Sequence, residues 1–204
     1  MRAVRGIGSG VLPGRGARRG EERGPRRRHS GGVVGVRALI LGGARSGKSL
    51  LAERMVGELG GGRVLYVATA ILGDDSDLRR RVDLHRERRP AGWGTVEAGD
   101  LSQVPEEARF WEAALLDSLT LWVSALLPSV GEEETLRTFD GFLVEASTLQ
   151  TPFVLVSDEV GLGVVPEGEA VRAFRDALGL VNQRAAAAAV EVHLCVAGVG
   201  IRIK

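Results

Sequence analysis

Apolar positions in this chain gather into short continuous runs, set between longer stretches in which they recur every three or four residues. The runs are Ala38-Leu39-Ile40-Leu41, Arg63–Ala68 (bounded in front by Gly61-Gly62), Ala113–Leu116, Phe153–Ser157 and Val190–Val196. A short run without alternation fits a strand buried on both faces, as in a parallel sheet. The intervening stretches predict helices: one carrying Leu51, Met55 and Leu59 on one face, then Leu78–Arg89, Leu119–Leu127, Glu132–Leu149 and Glu169–Ala188. Asp74-Asp75-Ser76-Asp77 supplies N-cap candidates and carboxylates favourable to the helix dipole before Leu78, while Pro90 and Gly92 stop that helix. Trp93-Gly94-Thr95-Val96-Glu97 reads as a short edge strand. Strands separated by helix-length segments make βαβ units, so the pattern predicts an α/β fold, a mostly parallel β-sheet flanked by helices.

With 204 residues the chain has room for one such domain and an extension. The domain is expected over 37–204. Residues 1–36 are Gly- and Arg-rich with few large apolar side chains, a composition that cannot bury enough surface to order itself, and they are expected to form a disordered tail. Three readings of the tail compete: an arm for nucleic acid or an acidic surface, a targeting segment, and an incidental or non-native extension from an upstream start codon. The last is preferred. No apolar stretch follows the basic residues, which argues against a secretory signal, and no nucleic-acid partner is expected. The net charge of +1 conceals the asymmetry between the arginine-rich tail and an acidic remainder. The single cysteine, Cys195, lies in an apolar run; it reads as a buried strand residue and suits a reducing cytoplasm. The longest apolar segment, Ala185–Ile201, is interrupted by Glu191 and His193, which falls short of the roughly 18 residues of a membrane span.

The first run leads into Gly42-Gly43-Ala44-Arg45-Ser46-Gly47-Lys48-Ser49, which has the form of a P-loop. Its backbone N–H groups turn inward around phosphate oxygens, Lys48 reaches the β and γ phosphates, and the Ser49 hydroxyl ligates Mg²⁺. The helix opening at Lys48 adds its positive dipole end. A strand before and a helix after are the context the motif requires, so a P-loop NTPase-like fold is predicted. Such a site also needs a carboxylate at a strand end beside the phosphates. Asp117 ends one apolar run and Asp158-Glu159 ends another; the order of the sequence does not separate them. Leu78, Val82 and His85 share a helix face, and Arg86, Glu87, Arg88 and Arg89 follow at once. Cationic surroundings hold an imidazole neutral with a free lone pair, the state a nucleophile needs; the competing reading is a helix residue at the edge of the core with a solvated arginine face beside it.

Five motifs occur in one order: the P-loop, Arg81–Arg86 continuing through Arg89-Pro90 to Trp93, Leu116-Asp117-Ser118-Leu119-Thr120, Asp158-Glu159-Val160-Gly161-Leu162-Gly163-Val164-Val165-Pro166, and Phe174-Arg175-Asp176 with Val181-Asn182-Gln183-Arg184. From about Leu39 to Lys204 the chain resembles the bifunctional adenosylcobinamide kinase/adenosylcobinamide-phosphate guanylyltransferase family. The resemblance implies two steps late in cobalamin biosynthesis. ATP or GTP phosphorylates adenosylcobinamide, and GTP then supplies GMP, giving adenosyl-GDP-cobinamide and pyrophosphate. It makes His85 the nucleophile of a covalent GMP intermediate and Lys48 the kinase lysine. It has Ala68, Thr69, Ala70, Arg86, Glu87, Arg88, Arg89, Glu97 and Asp117 contact the guanine nucleotide or its Mg²⁺, with Ser49 and Asp117 as metal ligands, and it implies a homo-oligomer, plausibly a trimer. The alternatives are a single-activity P-loop kinase of another small molecule and a nucleotide-binding regulatory module. Because His85 must meet the α phosphorus while the kinase step needs the γ phosphorus in line, the His85 helix is expected to move or the triphosphate to sit differently, with Gly92 and Gly94 as hinges. One departure stands out: Asp158 occupies a position where the family usually has asparagine. It reads as a tolerated loop change, with Asp158→Asn nearly silent.

Overall fold

The computed structural model describes residues 35–69 and 89–204. The expected tail up to Val34, the Asp74–Asp77 caps, the helix from Leu78 up to Arg88, and with it His85, lie outside the described residues, as do Ala70, Arg86, Glu87 and Arg88. In chain order the elements are β1 (Val36–Gly42), α1 (Lys48–Gly60), β2 (Val64–Ala68), β3 (Gly94–Glu97), a 3₁₀ turn (Leu101–Gln103), α2 (Val104–Ala108), β4 (Ala113–Asp117), α3 (Leu119–Ala146), β5 (Phe153–Asp158), α4 (Glu169–Ala188), β6 (Glu191–Val196) and β7 (Val199–Arg202). The strands form one sheet in the order β3-β2-β4-β5-β1-β6-β7. Every pairing is parallel except β6 with β7. The expected mostly parallel sheet is therefore present, with helices on both faces.

The apolar runs are strands because both sides of each are buried. Alternate residues of the central strands feed two cores. Leu39, Leu65, Leu116, Phe153 and Leu155 pack with Trp122, Phe139 and Phe142 of α3 and with Leu178 and Val181 of α4. Ile40, Tyr66, Leu115, Val154, Val156 and Cys195 pack under Ala52 and Val56 of α1. Trp122, Phe139, Phe142 and Phe153 form an aromatic chain with ring centroids 5.5 to 5.9 Å apart, a spacing at which such pairs add to simple area burial.

Several expectations need correction. Val36, counted with the tail, is buried in β1 and pairs with Phe153. The helices expected at Leu119–Leu127 and Glu132–Leu149 are two arms of α3 that meet at Gly131, whose φ of 81° and ψ of 176° break the helix just after Pro128, and the second arm ends at Ala146. Pro128 removes a helix hydrogen bond, and glycine tolerates the conformation that follows. Gly94 is no hinge: it lies in β3, and a side chain on it would strike the Trp111 ring at 2.2 Å. Gly92 likewise has the Gly62 carbonyl oxygen 2.4 Å from the place a Cβ would take, so both glycines serve close packing. The hairpin to β7 is absent from the apolar pattern. Ala197 and Gly198 at its turn both have positive φ, as a two-residue hairpin turn requires.

Candidate nucleotide-binding and phosphoryl-transfer site

The P-loop folds as its residue types dictate. Gly42 allows no side chain: a Cβ there would lie 2.4 Å from Ser46 Oγ and 2.7 Å from the Cys195 carbonyl oxygen. Gly47, with φ of 93°, sets the left-handed turn into α1 and lies against Gly198. The loop is tied down by Ser46 N–H donating to Gly43 O at 3.2 Å and by Gly198 N–H donating to Ser46 O at 2.9 Å, so the β6–β7 turn supports it from outside. Ser46 Oγ is buried without a hydrogen-bond partner among the described residues. A buried orphan hydroxyl in a loop of this form fits an anion. Ala44 and Arg45 are exposed on the rim, Arg45 at a φ of 57°. Ser49 is half-buried in the first turn of α1.

Register then aligns the candidates along the carboxyl edge of the sheet. Glu97 pairs with Ala68, Ala68 with Asp117, and Gly42 with Asp158, on strands adjacent or one apart. Lys48 Nζ is 2.6 Å from Asp158 Oδ1 and also donates to Gly43 O at 3.2 Å. Asp158 is itself held by its backbone: its N–H donates to Thr120 Oγ1 at 2.8 Å, and Asn182 Nδ2 donates to its carbonyl at 3.0 Å. Asp117 Oδ2 accepts the Tyr66 hydroxyl at 2.8 Å. Of the two carboxylates left open by the sequence, Asp158 is the one paired with the P-loop lysine, and Asp117 lies on the next strand out. Among the described residues no cluster of three or more His, Cys, Asp or Glu cages an ion. The oxygen donors Ser49 and Asp117 suit Mg²⁺ instead as it binds beside phosphates, through a hydroxyl and one or two carboxylates.

Thr69 is buried, and its hydroxyl donates to Ser118 O at 2.7 Å while accepting Ser118 N–H at 2.8 Å. It clamps the turn after β4 and so fixes Asp117. Arg89 lays its guanidinium 3.4 Å from the centre of the Tyr66 ring and donates to Thr95 Oγ1 at 2.8 Å. Glu97 is exposed at the end of β3. Cys195 is buried, and burial raises its pKa, outweighing the opposing pull of Lys48; it stays a neutral thiol and packs, as expected. In the sequence, Tyr66 reads only as part of a buried strand and Thr120 and Asn182 only as members of motifs, none of them with a role at the site. The available signal was a polar Asn182 beside Val181 on the inward face of α4.

The Lys48 pair revises the view of Asp158. Both side chains are largely shielded, at 13% and 23% exposure, so the carboxylate competes with phosphate for the same cation. Asp158→Asn is expected to tighten GTP binding about fivefold, the size of a ~1 kcal/mol ion pair. Calorimetric titration checks this, and an unchanged Kd would show the pair to be inert.

Comparison with known proteins decides the family. The sequence model of the cobinamide kinase / cobinamide phosphate guanyltransferase family matches residues 38–203. The chain belongs to that family. It is an enzyme with two activities, a kinase and a guanyltransferase. It is 39% identical over 181 residues to the bifunctional adenosylcobalamin biosynthesis protein CobU of Salmonella typhimurium, covering 81% of this chain and 98% of the relative. The CobU of Escherichia coli matches at the same identity and coverage. The bifunctional adenosylcobalamin biosynthesis protein CobP of Pseudomonas aeruginosa is 41% identical over 171 residues, covering 83% of this chain and 98% of the relative. Among solved structures, a KaiC-like protein of Pyrococcus horikoshii superposes with a TM-score of 0.46 at 14% identity, over 79% of this chain and 71% of that one. The kinase / guanyltransferase family accounts for all the motifs from the P-loop to Arg184, and residues 1–37 lie outside its match.

Proposed function

We propose that the carboxyl edge of the sheet carries out both steps of the family's chemistry on adenosylcobinamide, in the cytoplasm and within adenosylcobalamin biosynthesis. In the kinase step the aminopropanol hydroxyl oxygen attacks the γ phosphorus of ATP or GTP, the bond to the bridging oxygen breaks, the nucleoside diphosphate leaves, and the hydroxyl proton is lost. In the transfer step an imidazole nitrogen of His85 attacks the α phosphorus of GTP and pyrophosphate leaves. A phosphate oxygen of adenosylcobinamide phosphate then attacks the same phosphorus and releases His85, giving adenosyl-GDP-cobinamide. Splitting nucleotidyl transfer in this way replaces one difficult displacement by two easier ones.

One observation carries the reading: strand register brings Gly42 of the P-loop strand, Asp158, Asp117, Ala68 and Glu97 onto a single edge. The P-loop N–H groups and Lys48 hold the phosphates; Arg86, Arg88 and Arg89 stabilise charge as it builds; Ala68, Ala70, Glu87 and Glu97 hold the guanine nucleotide, while the buried Thr69 braces the turn beside Asp117. Ser49 and Asp117 would hold Mg²⁺, which when bound would neutralise charge on the phosphate oxygens. Supplying GTP labelled in turn at the α and γ phosphates, together with adenosylcobinamide, tests the whole: γ label in the cobinamide phosphate and α label in the nucleotide-capped product are expected. Triphosphate hydrolysis with no labelled corrinoid would leave a nucleotide-binding switch.

The corrinoid, a large macrocycle with apolar faces, is placed on the loop that follows Asp158. Leu162, Val164 and Val165 are 84%, 96% and 68% exposed. The loop is nevertheless tied at both ends, by Glu159 N–H to Gly42 O at 3.3 Å and by the Arg172 guanidinium to the carbonyls of Pro166 and Glu167. Val164→Asp is expected to raise KM for the corrinoid about tenfold, as loss of one buried apolar contact implies, and to leave α labelling of the enzyme by GTP unchanged. A changed oligomeric state with normal KM would reassign the loop to a subunit interface. The exposed Val196, Val199, Ile201 and Ile203 of the last hairpin already offer a second copy an apolar strip, in keeping with a homo-oligomer, plausibly a trimer. Among the described residues no helix is long and apolar enough to cross a membrane.

A further inference from the structure

We propose that Tyr66 is a positioning residue for both reactions, holding the Asp117 carboxylate with its hydroxyl and the Arg89 guanidinium with its ring. The proposal rests on the reading of Asp117 as a Mg²⁺ ligand and Arg89 as a nucleotide contact. Tyr66 lies in β2, 3% exposed, between the strand that ends in Asp117 and the strand that carries Thr95. Its hydroxyl donates to Asp117 Oδ2 at 2.8 Å, a bond to a charged acceptor and so among the stronger kinds.

The ring does separate work. Arg89 lies over its face at 3.4 Å from the centroid, a cation–π stack, and Thr95 Oγ1 takes one guanidinium N–H at 2.8 Å. A guanidinium gripped by a buried ring and a neighbouring strand has lost most of its rotamer freedom before any phosphate arrives, which lowers the ordering cost of binding. Arg89 follows directly on the segment that contains His85. One side chain thus spans from the carboxylate expected to serve the metal to the arginine expected to serve the transferred nucleotide. Phenylalanine at this position would keep the second contact and lose the first; leucine would lose both.

The test uses Tyr66→Phe, Tyr66→Leu, Asp117→Asn and the double variant Tyr66→Phe/Asp117→Asn, each checked for wild-type thermal melting. The binding of a non-hydrolysable GTP analogue is titrated calorimetrically across Mg²⁺ concentrations, and covalent α labelling is followed in parallel. Tyr66→Phe is expected to raise the Mg²⁺ concentration for half-maximal binding about tenfold, with metal-free binding of the analogue unchanged. Tyr66→Leu should also weaken metal-free binding and slow α labelling. The double variant should need no more Mg²⁺ than Asp117→Asn alone, because the tyrosine acts through that carboxylate. A purely structural tyrosine would instead lower the melting temperature and leave the Mg²⁺ dependence as in the wild type. If Asp117→Asn shifts the Mg²⁺ dependence and Tyr66→Phe does not, the role given to Tyr66 falls while that of Asp117 stands. If Asp117→Asn itself has no effect on Mg²⁺, the reading of Asp117 fails and this proposal with it. Should Tyr66→Leu not fold, Arg89→Ala reports the ring's contact in its place: unchanged metal-free binding there would overturn that half.

Discussion

Lys48→Ala is expected to lower γ-phosphoryl transfer to the corrinoid by about three orders of magnitude, the scale on which a cation at a transferring phosphate acts. The physical basis is local. Lys48 is the first residue of α1, its Nζ lies within the loop at 3.2 Å from Gly43 O, and it pairs with Asp158 at 2.6 Å. Removing it takes away the cation that reaches into the loop without touching either core, so the melting temperature should change little and the defect should lie mainly in kcat. Initial rates with γ-labelled ATP and GTP measure this. Activity retained within tenfold would mean that the γ phosphate is not seated against this lysine, and the kinase site would have to be sought elsewhere.

His85→Ala is expected to abolish acid-labile, alkali-stable labelling of the protein by α-labelled GTP while leaving phosphorylation of the corrinoid measurable. A residue that only steadied a helix would reduce the label; the atom that forms the bond removes it altogether. The measurement is label retained after denaturation, in wild type and variant. Persistence of the label in the variant would move the nucleophile to another residue. No label in the wild type, with Lys48-dependent hydrolysis intact, would remove the covalent route entirely.

The fold was legible where burial leaves a linear trace. β1, β2, β4, β5 and β6 each begin and end within about two residues of an apolar run, because a central parallel strand is covered on both faces. β7 leaves no such trace, since all four of its residues are exposed. The site was legible where function demands consecutive residues, as in the P-loop. It was illegible where partners are distant: Tyr66 and Asp117 are 51 positions apart, Asp158 and Asn182 are 24 apart. Nor does sequence reveal that β5 lies between β1 and β4, and it is this order that gives Asp158 to Lys48 and leaves Asp117 to Tyr66. The linear order likewise hides the pairing of Asp158 with Lys48, on which the effect of its charge depends.

The placement of β1 also has a bearing on how the protein is made. Its two neighbours in the sheet are β5 and β6, so Val36 must wait for Phe153 and Ala38 for Glu191. Pairings so far apart along the chain are slow to close. During synthesis the first strand therefore leaves the ribosome with both edges unsatisfied, and the phosphate loop lacks its support from Gly198 until that residue, about 150 positions later, has been translated. Prematurely terminated chains would carry the entire motif from Gly42 to Ser49 and still be unable to grip a nucleotide.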